Sequence, residues 1–247
     1  MKENRRREPF RFMVAIGDSI TMGAAATRRE YSWVYRLARL LSEFQGAELP
    51  FFNAGISGNL LSPRSAAYEQ SAKPSGLERF ERDVVRHRPD LVIVSYGLND
   101  LRCGTPVEVF LEDLHALVTG IREGTGATMV LTNAYFMTGY GDHGPVWGHG
   151  DTETTRMYNG RIERYAQDHG LLHADVHGAG GEVPWVVDRD GVHPNNLGHA
   201  LIAHRVFEVL ASRCSHLSIK AYRDAEDYFR WADACEMPMR SYDGIRR

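Results

Sequence analysis

The chain has no stretch near the ~18 consecutive apolar residues that a membrane-spanning helix requires. Its first apolar run, Phe12-Met13-Val14-Ala15-Ile16, is shorter than the ~7–15-residue core of a secretory leader. The expectation is a soluble chain with no membrane partner, most simply cytoplasmic. Cysteine is scarce: Cys103, Cys214 and Cys235 are widely spaced and odd in number. This excludes a disulfide framework and a C-x-x-C metal site, and the thiols are expected to be reduced. An excess of basic charge is also missing, with 29 Lys and Arg against 32 Asp and Glu and a net charge of −3. The one dense basic run, Arg5-Arg6-Arg7, sits at the terminus, so nothing reads as a nucleic-acid footprint.

Linkers, internal repeats and low-complexity segments are absent as well. One domain over residues 11–215 is therefore expected, between a flexible basic arm (1–10) and an extension (216–247). At 247 residues such a chain buries roughly 70–75% of its unfolded surface.

What is present is an alternation. Short apolar runs at 12–16, 49–53, 91–94, 128–136 and 171–176 read as strands. Helical periodicity returns between them at 31–44, 77–85, 152–168 and 197–212, and in the stripe of Phe110, Leu114, Leu117 and Ile121. Thr105-Pro106-Val107-Glu108 combines a capping box with proline at the first helical position, and Gly170 closes the 152–168 helix. Strands alternating with helices imply parallel strands joined by right-handed crossovers. The expected fold is a three-layer α/β/α sandwich on a central parallel sheet of about five strands.

In such a sheet every loop after a strand lies on one edge, and ligands sit where the strand order reverses. Four polar segments fall on those loops: GDSITMG (17–23) after the first strand, NAGISGN (53–59) after the second, GLND (97–100) after the third, and DGVHPN (190–195) after the fifth. With strand order 2-1-3-4-5, the switch point lies between strands one and three, and Ser19 faces Asn99 across it. Acyl transfer to serine needs a base, a group that fixes the base's tautomer, and donors for the oxyanion. Ser19, His193, Asp190 and Asn99 can fill these roles. Asp190 lies three residues before His193, so one loop can hold both; Asp188 is the second choice. Taken singly, the same residues also read as a helix cap, a turn and a loop end.

The four segments, in this order, resemble the blocks of the SGNH (GDSL-type) esterases and lipases over roughly residues 12–212. The resemblance implies a metal-free and cofactor-free ester hydrolase with Ser19 as nucleophile, His193 as base and Asp190 as the acid that orients it. The oxyanion hole it implies is the backbone N–H of Ser19 and Gly58 with the Asn99 side-chain amide. Isoleucine follows the serine where the family name has leucine.

Substrate contacts are expected from Asp18, Tyr140, Trp147 and Trp185. The three aromatics lie in loops beside Ser19, and flat faces amid Gly, His and Asp suit a sugar ring better than an alkyl chain. Short acyl esters of a carbohydrate, acetyl above all, are therefore the preferred substrate. The alternatives are a thioesterase or lysophospholipase acting on long acyl chains, and a non-catalytic carbohydrate-binding protein. Asp142, His143, His149 and Asp151 resemble a metal cluster in composition but lack ligand spacing, so a solvated or substrate-lining loop is expected. His199 and His204 are read as packing or surface residues. After Cys214, Ile219, Tyr222, Ala225, Phe229 and Ala232 recur at helical spacing. This amphipathic helix either docks on its own domain or, with Trp231 as an anchor, pairs two copies as a homodimer.

Overall fold

The computed structural model describes residues 6–217. The strands are β1 (Met13–Gly17), β2 (Phe51–Gly55), β3 (Leu91–Ser95), β4 (Thr128–Thr132) and β5 (Leu172–Ala174). The helices are α1 (Ser19–Met22), α2 (Trp33–Gln45), α3 (Gly76–Asp83), α4 (Leu98–Arg102), α5 (Val107–Thr125), α6 (Gly144–Trp147), α7 (Thr152–Asp168), α8 (Val176–Ala179) and α9 (Asn196–Ala211). All strand pairings are parallel, and the order is β2-β1-β3-β4-β5, as the sequence implies. Gly17 at the carboxyl end of β1 pairs with Gly55 on one side and Ser95 on the other. The switch point thus opens at the residue two before Ser19.

β1 is buried along its whole length, which is why it reads as an unbroken apolar run. Its residues alternate between two cores. Met13 and Ala15 join Leu37 and Leu41 of α2 and Ile202 and Val206 of α9. Val14 and Ile16 join Phe110, Leu114 and Ile121 of α5 and Tyr158 and Ile162 of α7. Each fully buried aliphatic or aromatic side chain of this kind stabilises the fold by about 1.5–3 kcal/mol. No helix among the described residues is long and apolar enough to cross a membrane. Cys103 and Cys214 are both buried.

Within the arm expected to be flexible, Phe10 is buried, and Arg6 lies 2.6 Å from Asp90 and accepts the Ser215 N–H through its carbonyl. The core therefore takes in residues before 11. The amphipathic segment from Ser218, with Trp231 and Cys235, lies outside the described residues.

Two expectations are corrected. Thr105 does not cap α5: Pro106 occupies the cap position without a side-chain bond, because the Thr105 hydroxyl donates instead to Ser65 Oγ at 2.9 Å. A capping box does form at α3, between Ser75 and Glu78. β4 stops at Thr132, short of 136. Beyond it Asn159 takes over the Ala134 backbone, accepting its N–H at 2.9 Å and donating to its carbonyl at 3.0 Å. Asn133 Oδ1 likewise accepts the N–H groups of Val176 and His177. Side-chain amides replace the ladder, while Ala134, Tyr135, Phe136 and Met137 stay buried, so hydropathy alone extends the strand too far.

Candidate active site

Ser19 is the first residue of the single-turn helix α1 and is buried. Asp18 caps that turn by accepting the Ile20 N–H at 2.9 Å, and Gly23 closes it in the left-handed region. The turn lies against β2 closely enough that a Cβ on Gly55 would sit 2.1 Å from the Met22 nitrogen. Only glycine permits this approach.

His193 arrives from the loop after β5. Val187 and Pro194 bridge antiparallel across its base, and the Asp188 N–H donates to the His193 carbonyl at 2.7 Å. Inside the loop, Asp190 Oδ1 accepts the N–H groups of Val192 and His193, each at 2.9 Å. This is the turn geometry that an aspartate before glycine favours. Its other oxygen, Oδ2, bonds His193 Nδ1, and His193 Nε2 lies 2.8 Å from Ser19 Oγ. With Nδ1–H donating to the carboxylate, Nε2 is left as the acceptor for the serine proton. Burial raises the Asp190 pKa, but the His193 and Val192 hydrogen bonds outweigh it and hold the carboxyl below its usual range. Asp190, not Asp188, is therefore the histidine's partner.

Asn99, on α4 after β3, is buried, and its Nδ2 donates to the Asn59 carbonyl at 3.1 Å. Gly58 precedes Asn59 with φ +68° and open space where a Cβ would stand, so backbone conformation, not room, selects glycine there. A buried network that sequence reading misses fixes this loop. The Arg79 guanidinium donates to Asn59 Oδ1 (3.1 Å), the Gly17 carbonyl (2.9 Å) and the Tyr96 hydroxyl (2.7 Å). Asn59 Nδ2 donates to the carbonyls of Ala72 and Pro74. Asp100 takes the N–H groups of Leu61 and Ser62, and its burial pushes its pKa up to about 7.

The residues expected to touch substrate are not alike in placement. Asp18 is buried as the cap of the serine turn, and its burial, partly opposed by the Ile20 N–H and the charges of His193 and Arg102, pushes its pKa up to about 6. Tyr140 is half-buried and bonded to Thr155 Oγ1 at 2.7 Å. Trp147 packs on Leu60, Ala67 and Cys103 with the Arg102 guanidinium 5.8 Å from its ring. Trp185 is 62% exposed, on a loop whose Trp185 and Val187 carbonyls accept from Asn195 Nδ2. The 137–151 loop is tied to the histidine loop by the N–H groups of Thr138 and Gly139, both donating to the Gly191 carbonyl. Asp151 of this loop caps α7 through the Thr154 N–H, and His149 bonds the Arg102 carbonyl through its backbone N–H. Among the described residues no group of three or more His, Cys, Asp or Glu is placed to hold a metal ion. His199 is buried, and His204 is exposed.

A serine hydroxyl on a histidine on a carboxylate, at the switch point of a parallel sheet, is the arrangement of a hydrolase that works through serine. The model of the GDSL-like lipase/acylhydrolase family matches residues 15–201. The chain belongs to that family and is a carboxylic ester hydrolase of the SGNH type. It is 26% identical over 210 residues to an acetylxylan esterase from Geobacillus stearothermophilus, covering 77% of this chain and 90% of that protein. The crystal structure of the acetylxylan esterase from that organism aligns with a TM-score of 0.61 at 21% identity, over 81% of this chain and 94% of the other. A lipase/acylhydrolase from Enterococcus faecalis aligns at 0.64 and 21%, over 82% and 96%. At these identities the structural likenesses establish the fold.

Proposed function

We propose that the chain hydrolyses short acyl esters of a carbohydrate, acetyl esters above all, through an acyl-enzyme on Ser19. The contact of His193 with Ser19 Oγ on one nitrogen and Asp190 on the other carries this reading. Ser19 Oγ attacks the ester carbonyl while His193 Nε2 takes the serine proton, and Asp190 holds the imidazolium that forms. The tetrahedral oxyanion is held by the backbone N–H groups of Ser19 and Gly58 and by Asn99 Nδ2. Collapse breaks the bond to the sugar oxygen, which leaves with the proton from His193. Water, deprotonated by the same histidine, then releases the acid and restores Ser19. The backbone N–H groups of Ser19 and Gly58 have no protein acceptor among the described residues, which suits them to the task.

The choice of acetyl and sugar is supported by the acetylxylan esterase relative and by the exposed Trp185 face. Solved catalytic mutants of that esterase replace a serine, an aspartate and a histidine by alanine, the residue types assigned here. The test is a series of nitrophenyl esters from acetyl to long-chain, followed by acetylated xylooligosaccharides. The expected result is a rate highest at acetyl and turnover of the acetylated sugar. A rate climbing steadily with chain length would overturn the substrate assignment.

A further inference from the structure

Buried charges are ordinarily paired, and Arg102 breaks that rule beside the catalytic residues. It ends α4, one helical turn after Asn99, and is 7% exposed. No carboxylate lies within ion-pairing distance of it among the described residues, and its buried Nε has no hydrogen-bond partner. Among the described residues its one side-chain hydrogen bond runs from Nη1 to Asn99 Oδ1 at 3.4 Å. The Trp147 ring covers the guanidinium from the 137–151 loop. Asp18 and Asp190 act on it only through space.

Asn99 is thus gripped at both ends, Oδ1 by a cation and Nδ2 by the Asn59 carbonyl. Two consequences follow from amide chemistry. The amide cannot turn over, since reversal would face NH₂ with a guanidinium and C=O with a carbonyl. A cation on the amide oxygen also polarises the group, so the second Nδ2 proton, the one not spent on Asn59, becomes a stronger donor. A neutral ester gains little from a nearby unpaired cation, whereas the tetrahedral intermediate carries a full negative charge. An interaction of that kind is realised in the transition state and not in the ground state.

We infer that Arg102 is a positioning residue for the oxyanion: it orients and polarises the Asn99 amide, and through that amide its buried charge favours the anion formed during the reaction. The inference rests on the acyl-enzyme reading above. Its test compares Arg102→Met and Arg102→Lys, each in the wild-type and Asn99→Ala backgrounds, by kcat and KM on nitrophenyl acetate, by melting temperature, and by inhibition with phenylboronic acid, which adds to serine as a tetrahedral anion. Arg102→Met is expected to lower kcat about tenfold or more with KM within about twofold, and to weaken the boronate by a similar factor. Arg102→Lys should recover part of the loss. In the Asn99→Ala background the same change should alter kcat by less than about threefold, because its route to the oxyanion is gone. An equal loss in both backgrounds, a pure KM effect, or an unchanged kcat would overturn the inference. Should Arg102→Met fail to fold, Arg102→Lys, which keeps the charge but loses the planar fork, carries the same comparison. Full activity in Ser19→Ala and no inhibition of the wild type by the boronate would instead overturn the acyl-enzyme reading, and the inference with it.

Discussion

At the scale of single residues, what was legible in the sequence was what is local in the chain. Asp190 and His193 lie on one turn of loop, and their offset is enough to join them; the competitor Asp188 spends its backbone closing that loop. Asn59, Arg79 and Tyr96 gave no such signal. Arg79 looks like one more charge on the polar face of an amphipathic helix, and only the fold shows it buried and bonded to the Gly17 carbonyl, to Asn59 and to Tyr96. Asp18, expected to meet substrate, is employed in holding the serine turn. For Asn99, whose amide is assigned to the oxyanion, Asn99→Ala is expected to lower kcat by about 10²–10³ with KM little changed. Steady-state kinetics on a short-chain nitrophenyl ester check this, and a loss confined to KM would make Asn99 a substrate-binding residue.

At the scale of elements, the long helices and the strand order were readable because their apolar periods are regular and long. The short helices α1, α4, α6 and α8 were not, since four or five residues carry no period. Their positions are set by tertiary partners instead. Gly55 of β2 yields space to α1, and His199 of α9 ties that helix to two others. His199 Nδ1 accepts the Trp33 N–H at 3.4 Å at the start of α2, and Nε2 donates to the Ala24 carbonyl at 2.9 Å just past α1. The bond from Trp33 requires the neutral ring, since only an unprotonated Nδ1 can accept it, and burial, opposed by the Ala24 carbonyl, pushes the ring's pKa down to about 4. The unfolded chain takes up this proton from about pH 6.5 downward, whereas the folded protein does so only near 4. The stabilisation from neutral His199 is therefore complete above about 6.5 and is lost as pH falls toward 4, by about 3 kcal/mol in all. Urea unfolding of wild type and His199→Gln at several pH values checks this. The stability advantage of the wild type should shrink on acidification from pH 7 to 4.5, and a constant advantage would refute the neutral-ring account.

At the scale of the whole molecule, the sheet brings together the loops that follow β1, β2, β3 and β5 at one edge. The pH dependence of the intact protein is a sum of opposing contributions. Asp18 at about 6 and Asp100 at about 7 are raised by burial, so the folded state gains stability relative to the unfolded one as each protonates on acidification, against the His199 trend. The two cores, one on each face of the sheet, hold the switch point fixed, and the fold class was legible from alternation alone. Which loop bends toward which was not, because that depends on the Arg79 network, the Asn133 and Asn159 amides, and the Thr138–Gly191 pairing. The central claim is that all of this serves one nucleophile. Labelling the full chain with a fluorophosphonate, locating the adduct by peptide mass, and measuring acetyl-ester hydrolysis in wild type and Ser19→Ala tests it most directly. The account predicts an adduct on Ser19 alone and a fall in kcat of about 10³–10⁶ in the variant; an adduct elsewhere, or hydrolysis retained without the Ser19 hydroxyl, would contradict it.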